Sequence, residues 1–208
     1  MTVHISPGNS KMGAIPSVSL PAVITCRPDA PCYAKCYARR LELFRKSVRE
    51  SYMDNYDLYK SDPDTYWREV EGAVMMNRFF RFHVSGDIPD LEYFVRMIGM
   101  ADRNPHCEIL CFTKRYRFVN AFLNETAKCE GTDKPVLPKN LHIIFSAWKG
   151  LEMENPWNLP EAHVAYKDGT TTARADAIPC GGNCTTCAKT NGGCWSLKNG
   201  EQLVIHEH

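Results

Sequence analysis

The chain lacks a charge excess of either sign: 25 Lys and Arg stand against 24 Asp and Glu, a formal net charge of +1. That removes the electrostatic argument for a large nucleic-acid footprint or for attraction to an acidic membrane, and leaves a local basic patch open. No stretch approaches 18 uninterrupted apolar residues, so no membrane span is expected. Met1 to Gly13 contains no apolar core of the kind a secretory signal needs, so a cytoplasmic protein is expected. Internal repeats and low-complexity segments are absent. So is any HExxH-type motif, which weighs against a zinc-dependent hydrolase.

What the chain has is cysteine, in groups. Of its 10 cysteines, Cys26, Cys32 and Cys36 form one cluster, and Cys180, Cys184, Cys187 and Cys194 another. Cytosolic thiols stay reduced, so clustered cysteines there read as metal ligands rather than disulfides. Three thiolates can hold an iron–sulfur cluster with one iron left open, whereas four close a site around zinc or iron. Cys107 and Cys111 share one strand face and read as small core residues, and Cys129 as a free surface thiol.

At 208 residues with 44% hydrophobic content, the chain reads as one domain with a small appended module. We place the main domain at residues 1–168 and a cysteine-rich metal-binding segment at 169–208. Residues 17–25 read as a strand running into the first cysteine cluster. From Tyr37, apolar residues at three- and four-residue steps through Leu41, Phe44, Val48 and Tyr52 predict a helix. Ser61-Asp62-Pro63 predicts a break and a new helix carrying Trp67, Val70 and Val74. Strands at 79–84, 107–113 and 141–147 then alternate with helices starting at Pro89 and at residue 115. Shorter strands follow at 161–166 and 202–206. The alternation predicts parallel strands with right-handed crossovers. With room for about five or six units, the fold class is α/β, a partial (open) parallel (β/α) barrel with a C-terminal cysteine-rich extension.

In such folds ligands bind at the carboxyl ends of the strands. The first strand ends in the three-cysteine loop, the second in Ser85-Gly86-Asp87, the third in Thr113-Lys114-Arg115 and the fourth in Ser146-Ala147-Trp148-Lys149. Four consecutive strands thus deliver ligand-type residues to one rim, which predicts an active site there.

A cysteine triad after strand one and a Gly-plus-acid turn after strand two resemble the radical S-adenosylmethionine (SAM) enzymes. More narrowly, the chain is similar to the phage and plasmid gene-product-eighty-eight family. That likeness rests on Asn9-Ser10-Lys11-Met12-Gly13, Cys32-Tyr33-Ala34-Lys35-Cys36-Tyr37-Ala38, Arg81-Phe82-His83-Val84-Ser85-Gly86-Asp87, and the terminal cysteines ending in Cys194-Trp195. One departure stands out. The usual radical-SAM spacing is C-x3-C-x2-C, but the first cluster here is C-x5-C-x3-C, and Cys180, Cys184 and Cys187 carry the usual spacing. Position after strand one favours the first group as the reactive one.

The resemblance implies that Cys26, Cys32 and Cys36 ligate a [4Fe–4S] cluster whose fourth iron binds SAM, and that an external electron donor starts radical chemistry on a substrate. It implies that Asp87, in the Ser85-Gly86-Asp87 turn, receives the SAM ammonium. Lys114, Arg115 or Lys149 would pair the SAM carboxylate, and Ser146 the ribose. His83 and Lys114 are the candidate catalytic residues. Cys180, Cys184, Cys187 and Cys194 would hold a second [4Fe–4S] cluster or zinc. The substrate is unknown, with nucleic acid and protein both open. The competing reading is a non-catalytic protein of phage or plasmid origin, stabilised by iron–sulfur or zinc. Several other residues have plainer readings. Arg39-Arg40 reads as a solvated face or a phosphate contact, Tyr52, Tyr56 and Tyr59 as helix packing, and Trp148, Trp157 and Trp195 as core packing or a stacking surface. His206 and His208 read as solvated.

Overall fold

The computed structural model describes residues 2–207, so His208 lies outside it. Its centre is one eight-stranded sheet. The strands are β1 (Ile5–Ser6), β2 (Ser17–Val18), β3 (Phe79–Phe82), β4 (Glu108–Thr113), β5 (Leu141–Ser146), β6 (Glu161–Ala165), β7 (Ile178–Pro179) and β8 (Gln202–His206). They lie in the order β1-β2-β3-β4-β5-β6-β8-β7. Among the described strands only β1 runs antiparallel to its neighbour; the other strand pairings are parallel. The expected α/β class with a mostly parallel sheet is therefore met. From β2 to β6 and then β8, the strands follow one another in chain order. β1 and β7 form the two edges, so the sheet is open.

Among the described residues seven α-helices accompany the sheet: α1 (Ala22–Thr25), α2 (Tyr37–Phe44), α3 (Lys46–Ser61), α4 (Pro63–Met75), α5 (Leu91–Arg103), α6 (Tyr116–Glu130) and α7 (Cys184–Lys189). Their ends follow local chemistry. The Asp62 carboxylate accepts from the Thr65 N–H, and Pro63 sits in the first turn, where its missing N–H costs nothing. Asp90 caps α5 in the same way, accepting from the Tyr93 N–H. Gly131, at φ +62°, ends α6 in the left-handed conformation.

Two expectations about local structure are corrected. Residues 17–25 are not one strand: β2 stops at Val18, and Pro21, which cannot donate to a ladder, turns the chain into the single-turn helix α1. The helix from Tyr37 is not continuous either. It breaks at Arg45, whose extended φ and ψ of −121° and 98° separate α2 from α3.

Side-chain alternation divides the sheet cleanly. Phe80, Phe82, Ile109, Cys111, Leu141, Ile143 and Phe145 face a core shared with Tyr66, Trp67, Val70, Tyr93, Phe94, Met97, Val119 and Leu123 of α4, α5 and α6. Cys107 and Cys111 are buried in it, as expected. The opposite face carries Leu110, Ile144, Ala162 and Leu203, which pack with Met12, Ile15, Ala188 and Trp195. The cysteine-rich segment thus lies against the sheet. β7 joins its edge through β8, the Cys184 N–H donates to Lys11 O at 3.0 Å, and the Thr185 hydroxyl donates to Met12 O at 2.7 Å. Trp195, the core reading borne out, is 3% exposed, and its ring lies 5.1 Å from that of Phe79. Among the described residues no helix is long and apolar enough to cross a membrane.

Candidate active site

The loops after β3, β4 and β5 open on a cavity of about 1060 Å3. That is at the upper limit of the roughly 300–1,000 Å3 of ordinary ligand sites, room for more than one small molecule. Its wall includes Cys26, Cys32 and Cys36 and also Cys180, Cys184, Cys187 and Cys194. The two cysteine groups therefore face one chamber. Leu110, Phe112, Val164 and Ile205, from the inner face of the sheet, complete it. All seven thiols are free.

The loop bearing the first three cysteines is fixed by arginines. Arg115 donates from Nε and Nη2 to Thr25 O, at 3.1 and 2.5 Å, just ahead of Cys26. Arg27 pairs with Asp29 and reaches Lys114 O at 3.4 Å. Arg39 donates to Tyr33 O at 2.7 Å, with its guanidinium 4.0 Å from the centre of the Tyr33 ring. Arg39 is thus a clamp on the loop, while Cys36 occupies the N-cap position of α2 without a side-chain capping bond. Burial pushes the Cys26 thiol up to about 12, helped by the Asp87 charge. It raises Cys32 too, against the opposing pull of the Lys114 ammonium. Both thiols must lose a proton to bind a metal.

The turn after β3 is built around Gly86 and Asp87. Asp87 is buried, and its carboxylate accepts from the Thr113 hydroxyl at 2.6 Å, the Lys114 N–H at 2.9 Å and the Ile88 N–H at 2.8 Å. Burial raises its pKa against those bonds. Two carboxylate oxygens offer about four lone-pair positions, so capacity for one further donor remains. The Ser85 hydroxyl donates to Glu42 Oε1 at 2.7 Å, and the same oxygen accepts from the Ala22 N–H at 3.0 Å.

Glu42 escaped the sequence reading. Its signal was phase: with Ala38 it falls on the inward face of α2, where an acid needs a reason. Glu42→Ala leaves two buried donors unpaired and is expected to cost about 3 kcal/mol. Glu42→Gln, which keeps an acceptor, should cost clearly less. Urea midpoints of the two variants check this, and equal losses would contradict it.

His83 lies just past the end of β3, outside its alternation. His83 has φ +59°, which turns the chain out of the β3 pleat. Its ring is buried, with Nε2 3.1 Å from the Tyr93 hydroxyl and Nδ1 without a partner. Burial, with the Arg81 charge second, lowers its pKa from 6.5 to about 3. The folded state therefore holds the imidazole neutral. Its contribution to stability is full above pH 6.5 and is lost as the pH falls toward about 3. His83→Asn, which tolerates the left-handed φ, is expected to flatten the dependence of the urea midpoint on pH across that window. An unchanged slope would count against this assignment.

The remaining rim residues divide. Lys114 and Lys149 line the chamber, with Lys114 Nζ 5.5 Å from the centre of the Trp148 ring. The Lys149 N–H donates to the Tyr166 hydroxyl at 2.8 Å. Ser146 lines it too, its hydroxyl accepting from Trp148 Nε1 at 3.2 Å. Arg115 is spent on Thr25. At the other cysteine group, burial pushes the Cys194 thiol up to about 12, and nearby Cys180 adds to this. Burial raises Cys187 as well, with Cys180 and Cys184 contributing. Among the described residues, no three His, Cys, Asp or Glu side chains converge closely enough to cage a single metal ion.

No curated protein and no solved structure matches the chain. A family model described as gene product 88 matches residues 4–196, and the chain belongs to the gene product 88 family.

Proposed function

We propose that this protein is a radical SAM iron–sulfur enzyme whose sheet is wound as a partial barrel and whose reactive centre is held by Cys26, Cys32 and Cys36. The observation that carries this reading is the meeting, on one chamber wall, of three thiols, the Gly86-Asp87 turn and the strand-end lysine Lys114. The strands' sequential order supports the barrel winding. The donor number suits the group: Cys26, Cys32 and Cys36, three thiols on one cavity wall, would hold a four-iron cluster and leave it open to a further ligand. Bound and reduced, such a cluster supplies one electron to the sulfonium of SAM, splitting a carbon–sulfur bond and starting radical chemistry.

The protein's own tasks follow from its side chains. Asp87, buried and with acceptor capacity left, receives an ammonium, whose charge offsets the cost of keeping the carboxylate ionised. Lys114 and Lys149 answer a carboxylate, and Lys114 also offsets thiolate charge. Arg115, Arg27 and Arg39 hold the cysteine loop in place. Ser146 offers a hydroxyl to a ribose. His83, neutral and packed on Tyr93, supports the turn rather than moving protons. Cys180, Cys184, Cys187 and Cys194 would hold a second, closed centre of iron–sulfur or zinc, for which the four thiols must draw closer together, and which would fasten the cysteine-rich segment against the sheet. An external reductant supplies the electron.

The test is product formation. Anaerobically reconstituted protein given SAM and dithionite should release 5′-deoxyadenosine and methionine in equal amounts. Zinc as the sole bound metal after reconstitution, with no 5′-deoxyadenosine, would favour a non-catalytic metal-stabilised binding protein.

A further inference from the structure

We propose that Arg81 anchors the phosphate of a small phosphorylated substrate inside the chamber, an inference that rests on the enzyme reading for the chemistry done there but not for the anion site itself. Arg81 lies on β3, on the face opposite Phe80 and Phe82, and lines the cavity. Its Nε is buried and has no hydrogen-bond partner. The guanidinium carbon sits 5.1 Å from the centre of the Phe112 ring, so an aromatic face orients the fork. A buried N–H donor without an acceptor costs free energy, and here it belongs to a cationic fork suited to an anion. A site that tolerates one is arranged for an anion that arrives with a ligand.

The surroundings point the same way. The chamber is lined by Lys11, Lys35, Arg81, Lys114, Lys149 and Lys167. Among the described residues, none of these six has an ion-pair partner. Elsewhere four arginines are paired with acids: Arg27 with Asp29, Arg96 with Asp64, Arg103 with Glu71 and Arg174 with Asp176. The acids on the chamber wall are Asp87, Asp168 and Glu207, and each is already accepting hydrogen bonds: from Thr113 and Lys114, from Thr170, and from the Lys167 N–H. With Lys114 and Lys149 assigned to the SAM carboxylate, Arg81, Lys11, Lys35 and Lys167 remain unmatched. The lysines also serve to offset thiolate charge, but the buried Nε–H of Arg81 still lacks an acceptor, and a phosphate brings several acceptor oxygens for a planar fork. The balanced charge of the whole chain, +1, and the position of Arg81 on an inner strand face favour a small molecule over a nucleic-acid strand.

The experiment is calorimetric titration of inorganic pyrophosphate into the full chain at low salt, before and after iron–sulfur loading. Wild type should bind saturably in both forms. Arg81→Met should weaken binding at least about tenfold and Arg81→Lys by less, because lysine keeps the charge and loses the fork. Lys139→Met, outside the chamber, should bind like wild type. Arg81→Lys and near-ultraviolet circular dichroism of Arg81→Met guard against a variant that simply fails to fold. Equal binding by wild type and Arg81→Met, or equal weakening by Lys139→Met, would overturn the anchor. A single-stranded oligonucleotide that binds more tightly than pyrophosphate, and depends on Arg81, would overturn the small-molecule assignment. Pyrophosphate binding before loading needs neither iron nor SAM, so its failure is distinct from failure to form 5′-deoxyadenosine.

Discussion

Replacing Cys32 with Ala is expected to lower the iron content of the reconstituted protein by about four atoms per chain and to abolish SAM cleavage. With one of three thiols gone, a cube has only Cys26 and Cys36 left on this wall. The loss should be local. The loop is held by Arg115 on Thr25 O and Arg39 on Tyr33 O, bonds that do not involve the Cys32 side chain. The variant should therefore fold, and its urea midpoint in the metal-free state should match that of wild type. Cys111→Ala, in the buried core, serves as the control and should leave iron unchanged. Iron content and SAM cleavage that survive in Cys32→Ala would move the reactive centre elsewhere.

Gly86→Ala should destabilise the fold by about 2 to 4 kcal/mol, through left-handed strain and overpacking together. Gly86 has φ +83°, and a Cβ there would lie 2.5 Å from Leu20 O and 2.7 Å from Thr25 Oγ1. Neither neighbour can yield easily. Leu20 O belongs to the backbone beside Pro21, and the Thr25 hydroxyl is engaged, donating to Pro21 O and accepting from the Asp87 N–H. The contact therefore ties the β3 turn to the helix that leads into Cys26. Chemical denaturation should show a lower midpoint, and iron retention should fall with it, because the same clash pushes the cysteine loop outward. A stability within about 0.5 kcal/mol of wild type, the size of an ordinary surface effect, would contradict this reading of a crowded position.

The periodic parts of the fold were legible in the sequence. Phe80 and Phe82 alternate with Phe79 and Arg81 because burial on one face imposes that period, whereas of the apolar stripe Leu91, Phe94, Val95 and Ile98 on α5 only Phe94 is fully buried, the inward face also carrying Tyr93, Met97, Met100 and Ala101. β1 and β7 were not legible, since two residues carry no period. The strand expected over 17–25 failed at Pro21, where a missing donor outweighed a run of apolar residues. The break at Arg45 had no proline or glycine to announce it. At the site, the grouping of cysteines was readable from spacing alone. Their common chamber was not, because it depends on β8 lying between β6 and β7 and on Lys11 and Met12 holding α7. Arg81 was readable in hindsight, as the charged residue on the alternate face of an apolar strand.

The central claim is that the N-terminal thiols hold an open, reactive cluster and the C-terminal four a closed one. Electron paramagnetic resonance of the dithionite-reduced protein, with and without SAM, tests it most directly when run on Cys32→Ala and Cys184→Ala side by side. A SAM-dependent change of the cluster signal should persist in Cys184→Ala and vanish in Cys32→Ala. A SAM-dependent change that vanishes in Cys184→Ala and persists in Cys32→Ala would contradict the account.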